Sequence, residues 1–171
     1  MNKALLIGGG AALIAGLATV AYCETAEPRI NPRSMSFTTS GESLLNTRKA
    51  EDAIAQFETA LAVDPKNVRA YIGMARAHDM LGLPGRAVKV YREGLTIEPN
   101  NLTALEEQGE ALVDRGATAR AKQNLERIRD LCARECVQAE RLAAVIAKGP
   151  PAVESAESAA KADTTPMPVT N

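Results

Sequence analysis

The sequence predicts an all-α solenoid, in which short antiparallel helices stack along one axis. Composition favours helices, because 31 of the 171 residues are alanine and only five are aromatic. Alanine is the strongest helix former, whereas strands favour aromatic and β-branched residues. An internal period of 34 residues relates Ala53 to Ala87 and Ala87 to Ala121. A fixed period of this length is typical of repeats that contact only their neighbours.

Residues 1–23 predict a signal peptide or an N-terminal membrane anchor. A single Lys3 precedes an uncharged run at 4–22, in which four glycines weaken a spanning helix. Cleavage, retention as an anchor and lipidation at Cys23 stay open, although Tyr22 stands where lipoprotein signals carry a small residue. Unless an anchor inserts in the opposite orientation, each alternative exports the rest of the chain. We expect a periplasmic protein, either secreted by cleavage or anchored to the membrane by residues 4–22.

A folded domain is predicted at 34–148, between a linker at 24–33 and a disordered tail at 149–171. The tail holds four of the nine prolines and has no large aliphatic run. It cannot bury enough apolar surface to offset its chain entropy. A solenoid also needs a terminal helix to cover its last apolar face. We therefore predict three repeat units and a cap helix at 34–67, 68–101, 102–135 and 136–148.

Each unit is predicted to contain two antiparallel amphipathic helices. An alanine early in the second helix lets the first helix approach closely, and a bulky residue four positions later fills the gap between units. Proline ends the second helix because it has no N–H for the hydrogen-bond ladder, and the Asn after it suits the next N-cap. The hallmark residues of this pattern are Phe37, Gly41, Ala53, Phe57, Pro65, Tyr71, Ala87, Tyr91, Pro99, Gly109, Ala121 and Leu125.

The first unit is the weakest copy of the repeat. Its first helix reads SMSFTTSGESLLNT, which is rich in serine and threonine and poor in strong helix formers. Ser40 also stands where an aliphatic residue is usual. We therefore expect a frayed first helix that a partner could assist.

The period and the pattern A-x-x-x-F…P resemble the tetratricopeptide repeat. The resemblance covers most of the folded region and implies a right-handed α-solenoid of three helix–turn–helix units plus a C-terminal capping helix. It also implies that the first helix of each unit lines a concave groove, which receives a protein or peptide partner. The residues expected in this groove are Met35, Thr38, Glu42, Leu45, Arg69, Ile72, Arg76, Asp79, Thr103, Glu106, Glu110 and Val113.

Charge divides the expected groove. Arg69 and Arg76 suit an acidic ligand or a C-terminal carboxylate, while Glu106 and Glu110 suit a basic one. An ordinary charged surface is the alternative for all four. The carboxylate-clamp variant of the repeat, which grips chaperone tails, wants basic and Asn residues at set positions. We predict that this clamp is absent, because those positions hold Thr38, Glu42, Gly73, Thr103 and Glu107.

Cys132 and Cys136 flank the predicted break before the cap helix. Their spacing is awkward for a disulfide in an unbroken helix, but a helix–turn boundary allows it, and an exported compartment is oxidising. We predict a disulfide that holds the cap helix on the third unit. Two small buried thiols are the alternative. The resemblance extends to exported alphaproteobacterial repeat proteins with a similar terminal cysteine pair, which supports the disulfide.

No catalytic or cofactor motif is found. The sequence has no P-loop, dinucleotide-binding glycine pattern, H-E-x-x-H or G-x-S-x-G. Two cysteines and the single distant His78 fall short of four zinc ligands. His78 is expected to be a half-buried packing residue. We predict a protein that is not an enzyme and carries no cofactor or metal.

The charge balance argues against a nucleic-acid partner, since 20 basic residues meet 21 acidic ones. The basic stretch at 115–134 has no aromatic residue for base stacking, so a solvated helix face is the simpler interpretation. Membrane contact is expected only through the N-terminal segment.

Two functions follow from these patterns. The first is a non-enzymatic scaffold or adaptor for protein–protein interactions in the bacterial cell envelope (periplasm). The second is a structural module that self-associates through its exposed repeat ends; the oligomeric state is left open. Helper lipoproteins of pilus assembly and accessory subunits of cytochrome maturation have similar repeats. The polar cap helix favours the adaptor, whereas the thin first unit favours stacking.

Overall fold

The computed structural model describes residues 29–132 and 136–151, and regular secondary structure within these ranges is entirely helical. Consecutive helices pack against each other, and contacts also join α1 to α3 and α5 to α7. The predicted all-α solenoid with a terminal cap helix is confirmed. The helices are α1 (Pro32–Asn46), α2 (Ala50–Val63), α3 (Val68–Met80), α4 (Pro84–Ile97), α5 (Leu102–Asp114), α6 (Thr118–Leu131) and α7 (Val137–Lys148).

Several predicted segments fall outside the described residues. They are the signal or anchor at 1–23, half of the linker at 24–33 and most of the tail at 149–171. The first helix starts at Pro32, two residues before the predicted domain start. None of the seven described helices is both long and apolar enough to cross a membrane.

Asparagine begins the first helix of every unit. The side-chain oxygens of Asn31, Asn67 and Asn101 accept backbone N–H groups within the first turn of α1, α3 and α5. This satisfies a donor that the helix itself leaves unpaired. At the other end of α3 and α5, Gly82 and Gly116 adopt left-handed φ angles of 69° and 74°. Such angles favour glycine, and they let the chain reverse into the second helix.

The expected fraying of the first helix is wrong, because tertiary hydrogen bonds hold its hydroxyl side chains. Ser34 is fully buried, and its Oγ donates to the carbonyl oxygen of Ala60 over 2.8 Å. The Asn67 amide donates to Ser34 Oγ at 2.8 Å and to Thr38 Oγ1 at 2.9 Å. This network joins α1, α2 and α3, so residues of low helix propensity stabilise the packed unit.

The Asp64 carboxylate forms a hydrogen bond that stabilises the start of the first helix. Its Oδ2 accepts the backbone N–H of Asn31 over 2.8 Å, and its Oδ1 accepts that of Lys66 over 3.0 Å. The Asn31 bond is the larger cause that lowers the pKa of Asp64, and the Lys66 bond is the next. Asp64, which follows α2, therefore links the end of the first helix pair to the start of α1.

Asn67→Ala tests the buried network. We expect the free energy of unfolding to fall by about 2–3 kcal/mol, since the change removes an N-cap and leaves buried hydroxyls short of a partner. Asn101→Ala is the matched control, because Asn101 caps α5 in the same way but its amide donates to the exposed Glu98. The control should lose about 1 kcal/mol in urea unfolding. Equal losses in the two variants would show that the network adds nothing.

Phe57 fills the space between the first two units. Its side chain is fully buried between Gly41 of α1 and Gly73 of α3. A Cβ atom at Gly41 would lie 2.7 Å from the ring, and one at Gly73 would collide with it. Ala53, one turn earlier on α2, is also fully buried. Two glycines and an alanine thus let three helices close around one large ring.

Later units repeat this packing with other side chains. Tyr91 occupies the bulky position of the second unit and is buried, as is Ala87 one turn before it. In the third unit Ala121 is fully buried, while Leu125 packs in a cluster with Leu142 of the cap helix. Helices α2 and α4 end two residues before Pro65 and Pro99.

The cap helix α7 closes the solenoid through Leu142. This side chain is fully buried, and a Cβ atom at Gly109 would lie 2.6 Å from it. Beside it, the Sγ atoms of Cys132 and Cys136 are 2.12 Å apart, with the Cα atoms separated by 6.0 Å. The disulfide in solution stays a prediction. We expect no reactive thiol at these two residues when non-reduced protein is denatured. Two reactive thiols would contradict the predicted disulfide.

Candidate partner-binding groove

Helices α1, α3 and α5 lie side by side and form a groove with two cavities. The first cavity has a volume of about 530 Å³, and its lining includes Ile30, Met35, Glu42, Arg69, Ile72, Arg76 and Thr103. The second cavity has a volume of about 590 Å³, and its lining includes Leu45, Arg48, Arg76, Asp79, Met80, Tyr91, Glu107 and Glu110. Because Arg76 lines both, the cavities follow one another along the same face.

Most residues expected in the groove lie in one of these cavities, but three do not. Thr38 is buried in the hydrogen-bond network of α1 and α2, and Val113 is fully buried in the core. Both expectations are wrong, because these positions turn toward neighbouring helices. Glu106 lines neither cavity and is 6% exposed. Its carboxylate lies 3.6 Å from Arg141 of the cap helix.

The two groove arginines are already bound to carboxylates. Arg69 Nε donates to Glu42 Oε1 over 2.6 Å, and a second guanidinium nitrogen donates to the other oxygen of Glu42. Arg76 binds Glu107 in the same two-pronged way, with Nε donating to Oε2 over 2.8 Å. Such paired geometry fixes both side chains. The expectation that Arg69 and Arg76 suit an acidic ligand stays a prediction, and such a ligand would have to compete with Glu42 and Glu107.

Glu42 and Glu107 also concern the predicted absence of the carboxylate clamp. Both stand at positions where the carboxylate-clamp variant would need basic or Asn side chains, and each carboxylate holds an arginine of the neighbouring helix α3. The bidentate bond to Glu107 is the largest cause that raises the pKa of Arg76. A carboxylate ligand would have to displace an existing carboxylate at either site. Ion pairs within the chain thus hold the side chains of Arg69 and Arg76 in the groove.

The side chain of the buried Tyr91 contributes its hydroxyl group to the wall of the second cavity. Tyr91 OH donates to Glu107 Oε2 over 3.0 Å, and Asp79 Oδ2 lies 3.3 Å from the same hydroxyl. Asp79 Oδ1 is buried and has no hydrogen-bond partner within the described residues. Burial is the main cause that raises the pKa of Tyr91. Sequence reasoning placed Tyr91 in the core; the difference from Phe57 at the same repeat position was the available signal for its hydroxyl.

Two carboxyl groups of this cavity, those of Asp79 and Glu110, have raised pKa values. Burial, the largest cause, raises the pKa of Asp79 to about 7, and Asp114, Glu107 and Glu110 act in the same direction against the Tyr91 hydrogen bond. Burial also raises the pKa of Glu110, with smaller contributions from its acidic neighbours. The second cavity therefore has a negative potential that its own residues do not fully compensate.

Asp79→Asn tests this description through the pH dependence of stability. The folded-state pKa of Asp79 lies above its ordinary value, so stability linked to Asp79 is present below that ordinary value and is lost as the pH rises through about 7. Because Asp79 is partly exposed, solvent screening keeps the effect small. We expect the variant to be more stable than the parent by about 1 kcal/mol at alkaline pH and equal to it in acid. Asp130→Asn, at an exposed position of α6, is the matched control in urea unfolding. A variant less stable than the parent at alkaline pH would contradict the description.

The remaining candidates carry no site chemistry. His78 is half-buried near the end of α3, and burial, followed by Arg86, lowers its pKa. This placement agrees with the expected packing role. Across residues 29–132 and 136–151, no group of three or more metal-ligating side chains is close enough to hold a metal ion.

Comparison with known proteins identifies the class. A tetratricopeptide repeat family model matches residues 38–101, which cover most of the first two units. The tetratricopeptide repeat (TPR) domain of Sgt2 from Aspergillus fumigatus superposes with a TM-score of 0.64 and 18% identity, covering 82% of this chain and 90% of that chain. The predicted TPR fold is confirmed.

Two similar structures contain bound peptides. The type III secretion chaperone SycD of Yersinia enterocolitica, in complex with a peptide of the translocator YopD, has a TM-score of 0.60 and 19% identity over 67% of this chain and 89% of that chain. The second TPR domain of human RPAP3, in complex with the HSP70 peptide SGPTIEEVD, has a TM-score of 0.61 and 22% identity over 66% and 94%. At these identities the likeness concerns the fold.

One curated protein is also similar in sequence. Superkiller protein 3 of Saccharomyces cerevisiae is 25% identical over 105 residues, which make up 61% of this chain. The match spans only 7% of that yeast protein. The similarity therefore concerns a stretch of repeats within a much longer chain.

Proposed function

We propose that this protein is a non-enzymatic TPR adaptor of the bacterial cell envelope that binds a protein or peptide partner in its concave groove. The observation that carries the proposal is the pair of consecutive cavities along α1, α3 and α5, which share Arg76. An extended or helical segment laid along these helices would reach both. Peptide complexes of SycD and RPAP3, which share the fold, support this use of the scaffold.

Two features support the envelope setting. The uncharged run at 4–22 has the length and position of an export signal or anchor. Cys132 and Cys136 are placed for a disulfide, which persists in the periplasm and is rare in the cytosol.

Site-specific photocrosslinking in cells that express the full chain tests the adaptor function. A photoreactive residue replaces Met35 in the first cavity or Met80 in the second, and the controls replace Lys89 or Arg92, which are exposed on α4. We expect the same partner to be captured from both groove positions and from neither control. Capture from α4 alone would overturn the groove as the binding surface.

Fractionation of the same cells tests the setting. We expect the crosslinked complex to be released with the periplasm or to remain with the membrane, according to whether residues 4–22 are removed. A complex confined to the cytosol would overturn the envelope assignment and leave the groove assignment intact.

The alternative, self-association through the first unit, is disfavoured by the outer face of α1. Ser36, Ser40 and Ser43 are exposed there, and the Ser40 hydroxyl donates to the carbonyl oxygen of Ser36 over 3.1 Å. A stacking face would need apolar residues at these positions. Light scattering on the chain from Glu24 onward should therefore report a monomer.

A further inference from the structure

We propose that the second cavity binds a basic segment of the partner and receives a lysine or arginine side chain between Asp79 and Glu110. The inference rests on the proposed function, because it assigns a chemistry to the partner in that groove. It goes beyond the sequence expectation, which left acidic and basic ligands as alternatives for different parts of the groove.

Charge complementarity is the first argument. Three of the arginines at the groove and its edge, Arg69, Arg76 and Arg141, are each paired with a glutamate. These pairs leave Asp79 and Glu110 without a cationic partner of their own within the described residues. Arg48, from the turn between α1 and α2, is the other cation that lines the cavity. The cavity thus holds three carboxyl groups against two guanidinium groups, one of which is engaged by Glu107, and a bound cation would favour the ionised forms of Asp79 and Glu110.

The unmet hydrogen-bonding capacity of Asp79 is the second, independent argument. Its Oδ1 is buried and lacks a partner within the part of the chain that the structure describes, while Oδ2 faces the Tyr91 hydroxyl. A buried carboxylate oxygen without a donor costs free energy, so such atoms are normally paired. Lysine offers three donors and arginine five, with no competing acceptor. A basic side chain therefore supplies what the cavity wall lacks.

The apolar rim fits the same kind of side chain. Met80 is 48% exposed, and Leu45 lies beside the cavity on α1. Lysine and arginine bury their methylene stems on apolar surface and keep the charged head near polar groups. Methionine adapts readily to such a stem because it is unbranched and polarisable. An apolar rim above acidic residues thus matches a long basic side chain better than a small cation.

The experiment measures peptide affinity with the full chain. The probe is a fluorescein-labelled peptide of alternating Lys and Ala, and the comparison peptide has Glu in place of Lys. The test variant is Asp79→Asn combined with Glu110→Gln. The matched control is Glu58→Gln combined with Glu93→Gln, which makes the same change of charge at exposed positions of α2 and α4. Urea unfolding confirms that each variant is folded.

We expect fluorescence anisotropy to show saturable binding of the Lys peptide by the parent and the control, and binding weaker by about tenfold in the Asp79/Glu110 variant. The Glu peptide should not bind. Equal losses in both variants would show attraction to overall charge alone and overturn the inference, as would unchanged affinity in the Asp79/Glu110 variant.

The crosslinking experiment separates this inference from the function on which it rests. Partner capture from Met35 and Met80 that is unchanged by the Asp79/Glu110 substitutions would keep the adaptor function and overturn the basic-segment inference. Capture that is lost from Met80 but kept from Met35 in this variant would support both. Absence of capture from either position would overturn the adaptor function itself.

Discussion

Phe57→Ala is expected to lower the free energy of unfolding by about 3–5 kcal/mol. The ring is fully buried between α1 and α3, where Gly41 and Gly73 leave room for it. Neither glycine has a side chain that can move into the vacated space, and both belong to helices whose backbones are fixed by hydrogen bonds. The cavity should therefore stay open. Urea unfolding followed by circular dichroism measures the loss.

Phe37→Ala supplies the comparison, since Phe37 is only half-buried and packs at the edge of the same cluster. A loss of about 1 kcal/mol is expected there, because less apolar surface returns to water. A second comparison adds Gly73→Ala to the parent and to Phe57→Leu. The methyl group should destabilise the parent more, because it collides with the ring. Equal costs in both backgrounds would contradict this packing arrangement.

Leu142→Ala is expected to lower the free energy of unfolding by about 2–5 kcal/mol, with the loss of stability concentrated in the cap helix. Leu142 is the side chain of α7 that lies against Gly109, and it is fully buried. Repeat proteins are held together by neighbouring interfaces, so an end unit opens more easily than the middle. Amide hydrogen exchange should therefore show loss of protection in α7, while α2 and α3 keep most of theirs.

Val145→Ala is the control for the cap, because Val145 lies on the same helix but is only partly buried. It should leave exchange in α7 nearly unchanged. Uniform loss of protection across all units in Leu142→Ala would contradict a separately closing cap. The cap also matters for the groove, since Arg141 of α7 is the partner of the buried Glu106.

The repeat columns were predictable from the sequence because they depend on short-range periodicity. Ala53 and Phe57 are one helical turn apart, and the same pair recurs 34 residues later as Ala87 and Tyr91. Their spacing alone indicates which face is buried. The glycine that faces Phe57 from α3, Gly73, lies outside the repeating pattern, so no periodic signal pointed to it.

The stability of α1 was misjudged because propensity describes an isolated helix. Ser34 and Thr38 weaken a helix in water, yet here their hydroxyls form hydrogen bonds with Asn67. That partner is the N-cap residue of α3, 33 and 29 residues away. A contact at this distance along the chain is invisible to local patterns, and it reverses the expected effect of both residues.

The position of the groove was predictable from the sequence, but the pairing of its charged residues was not. The repeat assigned Arg69 and Arg76 to the concave face, and the structure places both there. Their pairing with Glu42 and Glu107 depends on the side-chain conformations of residues 27 and 31 positions apart. The excess acidity of the second cavity follows only after those pairs are assigned.

Hydrogen exchange of the full chain with the partner recovered by crosslinking tests the central claim, that the concave groove is the binding surface. We expect added protection on α1, α3 and α5, strongest around the two cavities, with α2, α4 and α6 unchanged. Protection confined to α2, α4 and α6 would contradict it.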